Sequence, residues 1–201
     1  MKVLAINASP RPDGNTAMLL QMALGPIAAE GIETELYQLG GNLIAGCKAC
    51  YACFQNKDRR CVLTDDPVND VIGKMAEADG ILLGSPTYFA DLTPEAKAFL
   101  DRCGYVSIAN GGLLRGKIGA AVVVARRGGA THVFDSINHM YLMSQMIVPG
   151  SAYWNLGYGR NRGEVSTDAE GLRNMRHLGR AIAWLGQAVA PHLASYPRVG
   201  D

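Results

Sequence analysis

Five short, β-prone stretches divide the chain, and between them the apolar positions recur at helical spacing. VLAINAS (3–9), GILLGSP (80–86) and KIGAAVVVA (117–125) are nearly continuous apolar runs, as expected of parallel strands buried on both faces. IETELYQL (32–39) alternates instead and predicts a strand nearer an edge, and GSAYWNLGY (150–158) supplies the expected fifth. Helical periodicity starts at Thr16 and runs through MLLQMALGPIAAE, and DDPVNDVIGKMAEA begins on an Asp-Pro start signal. TPEAKAFLDRC (93–103) has Thr93 as N-cap, Pro94 at the first helical position and Glu95 in the first turn. A Met-rich pattern over 132–147 and a long one from about Asp168 to His192 complete the alternation. Strand and helix in strict turn predict one α/β domain, a doubly wound parallel sheet covered on both faces. Right-handed crossovers then leave few topologies. Five strands fit the order 2-1-3-4-5, whose ligand crevice lies at the carboxyl ends of strands 1 and 3.

Composition narrows the function classes. A hydrophobic share of 48% is ample for such a doubly covered core. Net charge is +1, and the basic residues never gather beyond the short KDRR and ARR groups, so neither a nucleic-acid footprint nor a polybasic membrane patch is expected. No apolar run reaches the roughly 18 residues of a bilayer span. The opening MKVLAINASP lacks a cleavable-signal pattern, and a cytoplasmic protein is the expectation. Five cysteines, an odd number, suit metal or redox chemistry better than a disulfide framework in a reducing compartment.

Two loops at the predicted crevice carry chemistry. Ser9-Pro-Arg-Pro-Asp-Gly-Asn-Thr16 leaves strand 1 and enters the first helix; it matches neither G-x-G-x-x-G nor a P-loop. It nevertheless offers the hydroxyls of Ser9 and Thr16, the Asn15 amide, the Arg11 charge, close backbone approach at Gly14, and the positive end of a helix. A polar loop that merely caps a helix is the plainer alternative. Gly84-Ser-Pro-Thr-Tyr-Phe-Ala90 follows strand 3: Pro86 stiffens the turn, Thr87 can hydrogen-bond a flat heterocycle, and Tyr88 and Phe89 can pack beside it. Read alone, it is equally a pair of aromatics covering a strand end. Together, a phosphate grip and a cradle for a planar ring describe FMN.

Ser9-x-Arg11-x-x-Gly14-Asn15-Thr16, Gly84-Ser85-Pro86-Thr87-Tyr88-Phe89 and Lys97-Ala-Phe-Leu-Asp101-Arg102 resemble the NAD(P)H-dependent FMN reductase family. The likeness extends to Asp168-x-Glu170-Gly171 and Leu178-Gly179, and the cysteine segment is similar to that of the family's iron–sulfur flavoprotein branch. The resemblance implies a flavodoxin-like fold with non-covalent FMN, its phosphate on residues 9–16 and its ring on residues 86–89. It also implies a nicotinamide dinucleotide or a ferredoxin as donor, a flavin or quinone as acceptor, and a site completed in a homodimer or homotetramer. The loop Ala125-Arg-Arg-Gly-Gly129 departs from the nearly neutral, glycine-rich loop of such proteins. Arg126 or Arg127 can meet the reduced flavin or a dinucleotide phosphate, or be solvated surface charges, and Gly128 and Gly129 allow close ring approach.

Cys47, Cys50, Cys53 and Cys61 are spaced Cys-x2-Cys-x2-Cys-x7-Cys. Ferredoxin-type runs share the first three but place the fourth after three residues and before a proline; here the gap is seven and Val62 follows. The longer gap suits four ligands to one [4Fe–4S] cluster, and Lys57, Arg59 and Arg60 offset its negative charge. A zinc site, a thiol–disulfide device built on the two C-x-x-C pairs, and plain buried thiols remain alternatives. Cys103 reads as a small core residue. The four histidines have no metal spacing, and Asp65-Asp66 reads as a helix-start signal. Three functions follow from these readings: an NAD(P)H-dependent flavin oxidoreductase, an iron–sulfur electron carrier, or a flavin-binding module without turnover.

Overall fold

In the computed structural model, which describes residues 1–197, five parallel strands lie in the order β2-β1-β3-β4-β5. They are β1 (Lys2–Asn7), β2 (Glu33–Gln38), β3 (Gly80–Pro86), β4 (Ile118–Ala125) and β5 (Leu156–Tyr158). The helices are α1 (Asn15–Ala29), α2 (Ala52–Asn56), α3 (Val68–Glu77), α4 (Pro94–Ala109), α5 (Ala130–Met143) and α6 (Ala169–Val189). Alternate side chains of each central strand enter different cores. Leu4, Ile6, Ile81, Leu83, Ala121 and Val123 pack against α3, α4 and α5. Val3, Ala5, Leu82, Ala120 and Val122 pack against α1 and α6. That double burial is why these strands are written as unbroken apolar runs rather than as alternating ones.

On the second face α1 and α6 touch backbone to side chain. A Cβ on Gly179 would stand 2.2 Å from the carbonyl oxygen of Ala23. Alanine's better helix propensity, about 1 kcal/mol, is outweighed by that overlap. Gly179→Ala is therefore expected to destabilise the protein by about 1–3 kcal/mol, read as a lower urea midpoint at unchanged slope. An unchanged midpoint would mean that the two helices separate freely.

Several boundaries differ from the sequence expectation. The fifth strand is three residues long, not nine, because two segments share its edge of β4. Ile147 pairs with the start of β4 through Gly119 N–H to Ile147 O (2.9 Å) and Ile147 N–H to Lys117 O (2.8 Å). Residues 156–158 then pair with its end, and the chain between them detours outward, held by the Asn174 side-chain amide to the carbonyls of Tyr153 (3.1 Å) and Trp154 (2.6 Å). The helix expected over 93–103 continues to Ala109 because Val106 extends the buried stripe of Phe99 and Cys103. The last helix stops at Val189, and a 3-10 stretch takes over at residues 190–195, around Pro191.

Candidate functional site

Four loops meet at the carboxyl edge of the sheet. The first is positioned by a relay of two side-chain amides, the buried Asn7 and the half-buried Gln38, that the sequence reading had not included. Asn7, at the end of β1, bonds Gln38 Oε1 (2.6 Å) and accepts from Ser9 N–H (3.1 Å), while Gln38 Nε2 donates to the carbonyls of Ser9 (2.8 Å) and Gly40 (2.7 Å). Ser9 Oγ accepts from Arg11 N–H (3.2 Å). Helix α1 then begins after Gly14, which carries no capping side chain, so the first-turn amides of Asn15, Thr16 and Ala17 have no partner within the helix. The Asn15 side chain is committed elsewhere: it accepts from Gly163 N–H (2.8 Å) and donates to Asn161 O (2.8 Å). What Asn15 leaves for a ligand is its backbone N–H.

The second loop is clamped to the first by Thr93, the N-cap of α4, whose hydroxyl bonds Ala8 O (3.0 Å) and Ala96 N–H (3.2 Å). Thr87 N–H donates to Val124 O (2.7 Å), while Thr87 Oγ1 is shielded from solvent without a hydrogen-bond partner among the described residues. Tyr88 and Asp91 exchange backbone hydrogen bonds of 2.8 and 3.0 Å around a two-residue turn. Its central residues, Phe89 and Ala90, have φ of +47° and +66°, a conformation that ordinarily selects asparagine or glycine. Non-glycine residues held this way cost on the order of 1–3 kcal/mol each, and here they push the Phe89 ring fully into solvent. The third loop meets the second at Gly129, whose φ of +85° suits glycine and whose added Cβ would lie 2.8 Å from Ala90 Cα. Gly128 faces open space.

These loops enclose a cavity of about 170 Å³ walled by Ser9, Arg11, Asn15, Thr16, Pro86, Thr87, Tyr88 and Arg126, all anticipated from sequence. Gly14, Phe89, Gly128 and Gly129 lie outside that wall, in the loops that shape it. Val124 of β4 completes the wall together with two residues after β5 that were missed, Gly159 and Arg160. Their signal was positional, a glycine and an arginine directly after a strand at the same edge. A Cβ at Gly159 would meet Asn15 Nδ2 at 2.8 Å, so only glycine lets this fourth loop rest on the start of α1. Glu164 secures the loop by accepting from Asn161 N–H (2.9 Å) and Arg160 N–H (2.5 Å), which holds its carboxyl below the usual range. Three arginines, Arg11, Arg126 and Arg160, thus share a wall to which no acidic residue contributes.

The cysteine segment forms a second centre against α4. The chain turns back on itself through left-handed residues at Ala49, Tyr51, Lys57 and Arg59, with the unanticipated helix α2 between them. Cys47, Cys50, Cys53 and Cys61 all line one hollow, whose wall is completed by Arg102, Tyr105 and Val106 of α4. All five thiols are free. Cys53 and Cys61 pack on the core, and burial pushes the Cys53 thiol up, with Cys61 and Cys50 adding to it. Asn69 grips Cys61 at both backbone groups (2.7 Å to its N–H, 2.9 Å to its carbonyl). No three His, Cys, Asp or Glu side chains among the described residues converge on one point, as a single metal ion requires. Tyr51, Phe54 and Tyr105 stack edgewise beside the hollow, with centroids 5.9–6.2 Å apart. Cys103 is buried against Met75, its thiol pushed up to about 12 by burial, as a core residue would be.

Asp66 had read as a helix-start signal, and it does accept from Val68 N–H (3.2 Å). It also forms a buried ion pair with Arg102, their side chains 5% and 0% exposed. Arg102 further donates to the carbonyls of Ala45 (3.2 Å) and Leu63 (2.8 Å), so one guanidinium ties down both ends of the cysteine segment. Sequence reading noticed Asp101-Arg102 as a motif but had no means of seeing this pair.

The protein resembles known flavoproteins throughout. An iron–sulfur flavoprotein of Methanocaldococcus jannaschii is 40% identical over 190 residues, covering 91% of this chain and 96% of the relative. One from Methanosarcina thermophila is 33% identical over 75% of this chain and 78% of its own length. Among solved structures, RosB with bound 8-demethyl-8-formylriboflavin-5'-phosphate superposes with a TM-score of 0.77 at 21% identity, covering 96% of this chain and 81% of RosB. An NAD(P)H:quinone oxidoreductase from Methanothermobacter marburgensis gives 0.62 at 16%, covering 90% and 96%. At those identities the structures speak for the flavodoxin-like fold alone, also that of an archaeal flavodoxin at a TM-score of 0.60 (17% identity, covering 93% of this chain and 99% of the flavodoxin). The profile of the NADPH-dependent FMN reductases matches residues 1–161, and with the relatives above it establishes that the chain belongs to that family of flavin oxidoreductases, on its iron–sulfur flavoprotein side.

Proposed function

We propose that the protein binds FMN in the four-loop crevice and transfers electrons from NAD(P)H to a small acceptor such as a quinone or a free flavin. The observation that carries this reading is the cavity itself, walled by the uncapped start of α1 and by three arginines, with no acidic residue among them. That environment selects a phosphate dianion. Ser9, Arg11, Thr16 and the amide of Asn15 hold the phosphate, and Pro86, Thr87, Tyr88 and Phe89 meet the ring. The unpaired hydroxyl of Thr87 is a donor in need of an acceptor, which a heterocycle supplies. Bound FMN supplies hydride acceptance at N5 and onward transfer of one or two electrons. The cavity of about 170 Å³ is below the 300–1,000 Å³ that usually encloses a ligand, so part of a bound flavin stays exposed to a donor. Arg126, beside an open Gly128, is placed to meet anionic charge on flavin or dinucleotide.

A second reading is favoured by four cysteines that line one hollow. The donor set fits a [4Fe–4S] cluster, in which each thiolate serves a different iron and the sulfurs need not converge on one ion. The protein is then an electron carrier that accepts single electrons from a ferredoxin. Arg102 stands nine residues along α4 from Thr93, roughly 14 Å of helix axis from the crevice edge, and a homodimer or homotetramer would bring the hollow of one copy nearer a partner's crevice.

The deciding experiment is the visible spectrum, iron content and reductant dependence of protein purified without oxygen. Flavin bands with rapid bleaching by NAD(P)H are the expected result for the first reading. About four irons per chain, with broad absorption bleached by reduced ferredoxin, put the carrier first. A protein that takes up no FMN on addition ends both.

A further inference from the structure

We infer that Arg102 is a positioning residue for the cysteine centre, its Nε–H directed to the Cys61 sulfur so as to stabilise negative charge there; this rests on the iron–sulfur reading above. The guanidinium has five N–H donors in a rigid fork. Those of Nη1 and Nη2 serve Ala45 O, Leu63 O and Asp66. The remaining nitrogen, Nε, is shielded from solvent and has no partner among the described residues. A buried donor of a charged group is seldom left unmatched, because its desolvation is then uncompensated. Arg102 and Cys61 are walls of the same hollow, and Cys61 is held there by Asn69. Paired with Asp66, the guanidinium carries its charge at any ordinary pH.

The other cations near the cysteines are poor substitutes. Lys48, Lys57, Arg59 and Arg60 are all exposed, where water and salt screen them. Arg102 is 1% exposed and acts through a low dielectric. A hydrogen bond to a ligating sulfur favours the more negative, reduced form and so raises a cluster's reduction potential. Lysine cannot replace this function, since a single ammonium cannot hold Asp66 and two carbonyls and still reach the sulfur.

The test compares the wild-type holoprotein, reconstituted with iron and sulfide, with Arg102→Lys and with the double variant Asp66→Asn/Arg102→Gln. The first variant keeps the ion pair, and the second removes both charges together, so neither strands a charge. Flavin content and melting report folding in each. Expected is full iron with a lowered cluster potential in both variants, about a tenfold change in the reduced-to-oxidised ratio at fixed ambient potential, or about 59 mV for one electron. Wild-type potential in iron-loaded variants overturns the inference. Loss of iron from both variants also overturns it, leaving Arg102 as a tether of the segment. If the wild type itself takes up no cluster, the iron–sulfur reading has failed, and this inference with it.

Discussion

Asp66→Ala is expected to destabilise the protein by about 3–5 kcal/mol, the usual cost of stranding one member of a buried ion pair. Arg102 would keep its charge at 1% exposure with no counter-ion. The Asp66→Asn/Arg102→Gln pair should lose much less, because no charge is left uncompensated. Urea unfolding of the cluster-free protein measures both. Equal losses in the two would show that shape rather than charge holds this site. Proton linkage gives a second readout. Burial would raise the Asp66 carboxyl, but Arg102 and the N–H groups of Val68 and Ala45 bring it below its ordinary value. Its folded pKa is therefore depressed, and its contribution is fully present above about pH 4, the ordinary carboxylate value. That contribution is lost as pH falls through the folded pKa. Below pH 4 the wild type should thus lose stability more steeply than the double variant, and parallel slopes would contradict the assignment.

Removing the phosphate grip should separate two flavins that share a ring. Arg11→Ala with Thr16→Val is expected to weaken FMN binding by about 10- to 100-fold, the loss of one or two charge-assisted hydrogen bonds discounted for the exposure of Arg11. Binding of riboflavin, which has the same ring and no phosphate, should change little. Fluorescence titration of both flavins decides the matter. An equal loss for the two would mean that residues 9–16 support the ring and that the uncapped start of α1 is not the phosphate site. The result bears on the whole functional reading, since FMN is common to both proposed roles.

The architecture was legible because its signals are local. Val3 to Ile6, Ile81 to Leu83 and Ile118 to Ala125 are apolar at successive positions, and only a strand covered on both faces has reason to be. With helices interleaved, the parallel order 2-1-3-4-5 followed, and with it the edge at which loops 9–16 and 84–90 had to meet. Ser9, Arg11, Thr16 and Thr87 could be named for the cavity because each lies in a loop directly after a strand or in the first turn of the helix that follows it.

Only the tertiary structure decided the rest, and the reason in each case is contact between residues far apart in the chain. Asp66 and Arg102 are 36 residues apart. In sequence the first is indistinguishable from a helix-start aspartate and the second from a surface arginine, until α3 and α4 pack and water leaves. The fourth wall of the crevice, Gly159 and Arg160, came into view only when Asn15 drew in the loop after β5 across about 146 residues of chain. The short fifth strand depended on Ile147 claiming the start of the same edge. The cysteines were countable from the outset, but a spacing states only how far thiols can reach. That all four face one hollow walled by Arg102 was determined by the packing of their segment on α4.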